Sequence, residues 1–406
     1  MSTRRSRRLP RWASWIFVLS LVGYPLLGLI ATVMNWESSI VSIPFRAIML
    51  VASLVVILQA AARSPWWRGN RWLLLFWFAY LVRLLWDLLV VGVPGAAEAL
   101  GVFLTITLLP SLAAGLAATR GLSGRDTAWR LVVVGGAVCT LAIAIYAFGW
   151  GAAQTLSAEV TLGRLAFEAV NPITLGHVAT TTLIAVLCLT QRGVPPARLV
   201  ALIAIGAAAG SCLLLAGSRG PMLALTVCSL VFALATGRWR WIVLMSLLIL
   251  PEVLNPEGAI WARIATGGED ESSLERLVLQ ANAIAQFIDN PVLGSAFTEL
   301  ELLTYPHNLF IETAMALGLV GLALLSVLAG RVGRCAWRSV HSGELLFALL
   351  LLQYFVAAQF SGAIWGAAPL WICVAVVGRL GFIRSSRTAM RSRPTTQSSN
   401  LPVAAQ

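Results

Sequence analysis

Apolar stretches of about 20 residues recur along the whole chain, and short polar segments separate them. A helix rising about 1.5 Å per residue needs roughly that many to cross a bilayer core of about 30 Å. The pattern therefore predicts an all-α polytopic membrane protein with about twelve transmembrane helices. They are expected near 12–33, 40–62, 72–93, 97–118 and 131–150, with a sixth beginning at Pro172, where proline suits a first helical position. Further spans are expected near 199–216, then an eighth ending about 236, a ninth ending near Pro251, and 308–330, 344–360 and 366–383. Residues 1–11 read as a cytoplasmic N-terminal tail, 12–250 as helices one to nine, and 251–307 as a large periplasmic loop. Residues 308–383 carry helices ten to twelve. The Ser- and Thr-rich remainder, 384–406, is expected to be a disordered cytoplasmic tail.

The periodicity changes inside the large loop. Leu274, Leu277, Val278, Ala281, Ile284, Ala285 and Ile288 form one apolar stripe at helical spacing, and Ser272 with Glu275 has the spacing of a capping box. An amphipathic helix is expected from Ser272, with Arg276 in its first turn and Asn290-Pro291 ending it.

Composition sharpens the topology. A chain of 406 residues that is 59% apolar and 11% charged is not a soluble globule. Its net charge of +12 could suggest a nucleic-acid partner, but all 29 basic residues are arginines and 23 of them fall on one side of the predicted topology. That is the positive-inside pattern, so both termini are placed in the cytoplasm and nucleic acid is excluded. The six cysteines lie in apolar helices or a basic loop, which leaves no disulfide or thiolate metal site in the large loop. No internal repeat is evident, against a transporter built from duplicated halves.

Six arginines escape the charge rule: Arg46, Arg83, Arg164, Arg219, Arg263 and Arg276. Arg219 lies at an outer break where Pro221 can start a helix. A helix N-terminus already favours anions, so an arginine there is costly unless an anion is bound or it caps the preceding helix. Arg276 repeats the argument, with an ion pair to a loop acid as its plain alternative. Two such sites on one face suggest a polyanion such as a pyrophosphate. His307 is the one histidine placed at the outer boundary, and its ordinary pKa suits a general base, although a lone interfacial histidine is more often structural. His177 reads as a hydrogen-bonded core residue and His341 as a loop residue; the three do not make a metal site. Arg83 and Asp87 are four apart and can pair inside the bundle. Arg46, Arg164, Glu168 and Asn308 are candidates to line the same cavity. Glu269-Asp270-Glu271 reads as a solvated turn rather than a cation site.

Ser218-Arg219-Gly220-Pro221-Met222-Leu223, then Arg276 ahead of Asn290-Pro291-Val292-Leu293-Gly294, then His307-Asn308 nine residues before Gly318-Leu319-Val320-Gly321, together resemble the O-antigen ligase and polymerase superfamily. The resemblance covers roughly residues 160–330. It implies a glycosyltransferase of the bacterial inner membrane that moves a glycan from undecaprenyl pyrophosphate to an acceptor hydroxyl at the periplasmic face, with no metal or other cofactor. Arg219 and Arg276 would clamp the pyrophosphate, and His307 would orient or deprotonate the acceptor. The acceptor would be lipid A core for a ligase, the reading put first, the growing glycan for a polymerase, or a protein hydroxyl for an O-oligosaccharyltransferase. A lipid-linked glycan flippase is the more distant alternative, because it would want charges along a membrane-depth path.

Overall fold

The structure, a computed structural model, describes residues 12–61, 67–118, 122–150, 165–167, 169–191, 193–240, 271–342 and 344–391. The predicted ninth helix, Arg164, Glu168, Arg263 and the acidic pair Glu269-Asp270 lie outside the described residues.

In chain order the helices are α1 Ala13–Met34, α2 Ser38–Ala61, α3 Trp67–Trp86 with a π-helical turn Asp87–Val91, α4 Ala96–Val102 and α5 Leu109–Ala117, with a second π-helical stretch between α4 and α5. They continue with α6 Gly124–Phe148, α7 Pro172–Leu189, α8 Pro196–Ala216, α9 Arg219–Thr236, α10 Glu271–Asp289, α11 Leu309–His341, α12 Leu345–Ala357 and α13 Ala368–Arg391. Nine helical stretches among the described residues are long and apolar enough to cross a membrane, with α12 and the apolar part of α13 as two shorter ones. Among the described residues every extended element is helical, as the apolar pattern predicts.

Several boundaries differ from expectation, each for a local reason. Ser123 starts α6 by accepting a hydrogen bond from the Asp126 N–H (3.3 Å), which puts Arg125 and Arg130 in the helix rather than in a loop. Helix α11 runs to His341, so Arg331, Arg334 and Arg338 are helical too. The last helix extends to Arg391, so residues 384–391 belong to it and not to a disordered tail.

Lipid tails are as apolar as the side chains, so close packing rather than water exclusion holds such helices together. Small residues mark the tight seams. Gly135 lies against Thr182, Gly136 against Ile205 and Gly176 against Pro221, drawing α6, α7, α8 and α9 together. Buried aromatics fill the other half: Trp77 and Phe76 of α3 pack on Trp371 of α13, and Tyr80 packs edge-on against Phe103 at 5.4 Å.

Candidate active site

The chain around the candidate site is positioned by a break in α11. Gly318 has φ +62 and ψ −155, and the segment 291–295 docks into the gap this opens. The Leu319 N–H donates to Pro291 O (2.8 Å), Val320 N–H to Val292 O (3.3 Å), and Ser295 N–H to Met315 O (2.9 Å). Hydrogen bonds that the helix gives up at the break are thus remade with the loop. A Cβ at Gly318 would overlap the Val292 carbonyl, and one at Gly294 (φ +72) would overlap the Met315–Ala316 backbone. Both glycines are there because two backbones touch.

A charged pair in α3 holds the other side of that loop. Arg83 donates to Ser295 O (2.8 Å), Leu293 O (3.0 Å) and Gly294 O (3.1 Å), and pairs with Asp87 at 3.3 Å. The second Asp87 oxygen accepts the Phe297 N–H at 2.8 Å. The pair predicted from its i,i+4 spacing is therefore also a clamp on backbone two hundred residues away.

Helix α10 begins at Glu271, one residue ahead of Ser272, which places Arg276 in the second turn rather than the first. The argument from free N–H groups at a helix start therefore does not apply to it. The expected stripe, Leu274, Leu277, Val278, Ile284 and Ile288, faces outward, and Leu279 and Ala283 face inward. Polar residues tie the inner side down: Gln280 donates to Pro306 O (3.3 Å), and Gln286 donates to Thr298 O (3.1 Å) and accepts the Leu300 N–H (3.2 Å).

His307 sits between these elements, with a left-handed backbone (φ +54) that residues other than glycine adopt uncommonly. Its ring lies against Tyr305, centroids 4.5 Å apart, and Tyr305 stands edge-on to Trp365 at 6.1 Å. Its Nδ1 is buried with no hydrogen-bond partner among the described residues. Burial, and then the positive charge of Arg276, lower its pKa to about 4. The imidazole is therefore neutral at pH 7. The same guanidinium opposes the rise that burial and Glu312 impose on the Tyr305 hydroxyl, so Arg276, Tyr305 and His307 share one electrostatic environment.

Asn308 is the N-cap of α11: its Oδ1 accepts from the Phe310 (3.0 Å) and Ile311 (3.1 Å) N–H groups. Its Nδ2 reaches Gln359 O at 3.5 Å, and the Leu309 N–H donates to Ala358 O at 2.9 Å. The turn after α12 is thereby fixed beside His307. The start of α9, which carries Arg219, lies beside the same turn, since a Cβ at Gly220 would stand 3.8 Å from Phe360 Cβ. Arg219 is the first residue of α9, two ahead of the proline expected to start that helix, and it is exposed, with no bonded partner among the described residues. The Gly217 N–H closes α8 on Leu214 O (2.9 Å), a role Arg219 was weighed for.

The other candidates divide. Arg46 is half-buried on α2 with its Nε unpartnered, and no described contact joins it to His307. His177 leaves Nδ1 without a partner among the described residues, unlike the hydrogen-bonded histidine expected there; its ring lies 6.0 Å from that of Tyr354 and its carbonyl accepts from Gln353 Nε2 at 2.9 Å. His341 Nδ1 pairs with Trp337 O at 2.9 Å.

Sequence reasoning passed over Glu312. Its carboxylate is fully buried one turn into α11 and accepts the Ile364 N–H through both oxygens (2.8 and 3.0 Å), holding the loop that carries Trp365. An acid inside an apolar span was the signal available for it. Below Leu309 an apolar cavity of about 310 Å³ runs between α11 and α12, lined by Leu325, Leu328, Val332, Trp337 and Phe355 among others.

An all-helical membrane bundle that gathers an arginine-bearing helix start, a second arginine and a neutral histidine at one end fits the class of membrane glycosyltransferases. Residues 202–326, which contain Arg219, Arg276, His307 and the Gly318 break, match the family model described as O-antigen ligase. The matched stretch overlaps the one whose motifs resemble that family. No curated protein matches the chain.

Proposed function

We propose that the protein transfers a glycan from undecaprenyl pyrophosphate to an acceptor hydroxyl at the periplasmic face of the inner membrane, in the manner of an O-antigen ligase. The observation that carries this reading is the neutral His307 beside the Arg276 guanidinium. In the reaction the acceptor oxygen attacks the anomeric carbon and the carbon–oxygen bond to pyrophosphate breaks. The pyrophosphate leaves with the bonding electrons, and the acceptor proton is lost to His307 or to water. Arg219 and Arg276 would stabilise the charge that grows on the leaving group. A dianionic pyrophosphate beside His307 offsets the Arg276 charge and raises the affinity of the imidazole for a proton, which suits it to accept one during transfer. Arg46, Arg164, Glu168 and Asn308 remain candidate substrate contacts, with Asn308 acting chiefly through the cap that fixes His307.

Two features support a lipid-borne donor. Leu309, two residues from His307, is among the residues lining the apolar cavity, which suits a hydrocarbon chain. The outward stripe of α10 is what a helix resting on a membrane surface presents. Transport through the bundle is disfavoured, because Arg83, Asp87 and Glu312 are bonded to backbone rather than strung along an open path.

The test is complementation of a strain lacking the gene with Arg219→Ala, Arg276→Ala and His307→Ala, at matched membrane levels. Loss of about 10²- to 10³-fold in glycan transfer is expected for each arginine. Accumulation of full-length chains on the carrier would mark a ligase, and of single repeat units a polymerase. Normal transfer by all three variants would overturn the assignment.

A further inference from the structure

At the end of the bundle away from His307, α3, α11 and α13 enclose a second cavity of about 310 Å³. Its rim carries Arg331, Arg334 and Arg338, spaced three and four apart and so on one face of α11, and none of its lining residues is acidic. Its floor is apolar, made by Leu73, Leu328 and Val332. Trp72 forms part of the wall, with the Arg331 guanidinium 5.5 Å from its ring centroid and that of Arg71 at 5.6 Å. The Trp72 Nε1–H is buried and has no acceptor among the described residues. The walls are set by close helix approach, with Gly381 against Cys335 and Gly378 against the Asn70 side chain. Asn70 is itself committed, donating to Ala375 O at 3.1 Å.

We propose that this cavity binds the head group of an anionic phospholipid from the leaflet opposite the glycosyltransferase site. Topogenesis explains why arginines lie at this end, since positive residues stay inside. It does not explain why three of them rim one cavity with an indole in its wall and no acid among its described lining residues. A phosphodiester offsets the neighbouring charges of Arg331 and Arg334, and basic pockets between transmembrane helices suit such head groups. The apolar side chains of Leu73, Leu328 and Val332 beside the arginines suit a lipid better than a free anion. Occupancy would join α3 and α11, the helices that carry the Arg83 clamp and the Asn308 cap at their other ends. The inference needs only that the protein spans a membrane and is independent of the proposed reaction.

The experiment is thermal unfolding of the purified full chain in neutral detergent, titrated separately with dioctanoyl phosphatidylglycerol, dioctanoyl phosphatidylcholine and inorganic phosphate. A saturable rise in Tm of about 3–6 °C is expected at saturating phosphatidylglycerol, with little change from the other two. The rise should vanish in Arg331→Gln/Arg334→Gln, shrink in Trp72→Phe, and persist in Arg198→Gln/Arg240→Gln, whose arginines lie elsewhere. An equal rise with phosphatidylcholine would show a general lipid effect, and one with phosphate alone a soluble-anion site. Either result, or an undiminished rise in both Trp72→Phe and the double variant, overturns the proposal. If the double variant does not fold, Trp72→Phe and the three-ligand comparison decide.

Discussion

Arg83 and Arg276 are both exceptions to the positive-inside pattern read from the sequence, yet their surroundings are opposite. Arg83 is spent: three carbonyls and one carboxylate take its donors within 3.3 Å. Arg276 has no bonded partner among the described residues, and its charge acts instead on His307 and Tyr305. A membrane protein tolerates an arginine either by saturating it, which makes it structural, or by leaving it for a ligand that arrives later. The same division separates Asp87, bonded to the Phe297 N–H, from the unpartnered Nδ1 of His307.

The sharpest way to break this contrast is to exchange the expected phenotypes. Arg83→Ala leaves Asp87 buried without its cation and frees three carbonyls, a change expected to cost about 3–5 kcal/mol. The outcome should be a large fall in membrane level and Tm, and Arg83→Lys should recover little, because one ammonium cannot span the same fork of acceptors. Arg276→Ala should keep normal level and Tm while losing transfer. If Arg83→Ala is stable and inactive, the contrast collapses and Arg83 belongs with the site.

Next in size is the loop that Arg83 clamps. Gly318→Ala places a side chain at φ +62 and against the Val292 carbonyl. It should cost about 1–3 kcal/mol, seen as a lower Tm together with reduced transfer, since the 291–295 segment links the Arg83 clamp to α11, whose first turn follows His307. Gly330→Ala, where a Cβ would meet nothing within 4 Å, is the matched control and should be neutral or slightly stabilising.

How much of this could be read from the chain follows the range of the physics. Spans were legible because apolar runs and arginine placement are local signals, and α1, α2, α8 and α9 end close to where those signals put them. The Gly318 motif could be seen but not explained: its reason is a backbone contact with Gly294, about two dozen residues earlier, which no periodicity encodes. The extension of α11 to His341 was missed because arginines were read as loop residues, although a helix leaving the membrane carries them equally well. Within the candidate site, Arg219, Arg276 and His307 stood out as charge or boundary anomalies. Glu312 and the Tyr305–Trp365 backing did not, because their partners are backbone and ring faces supplied by the turn after α12.

The smallest expected effect is the most direct test of Arg276 as a free charge. Burial is the larger reason His307 is held near pKa 4, and the Arg276 cation is the smaller one. Removing that cation in Arg276→Gln should raise the His307 pKa, yet leave it below the ordinary histidine value of about 6.5 because the ring stays buried. The neutral imidazole is the form present at pH 7, so protonation on acidification should occur at higher pH in the variant than in the parent. Histidine-selective ¹⁵N NMR of the detergent-solubilised protein, with the His307 signal assigned by His307→Gln, would follow this without relying on catalysis. Arg83→Lys, where it folds, should leave the His307 titration in place, because that cation is tied to the 293–295 carbonyls and Asp87 rather than to the ring. A His307 titration that Arg276→Gln does not move would mean that the guanidinium is neutralised by some other group, and that Arg276 is as spent as Arg83.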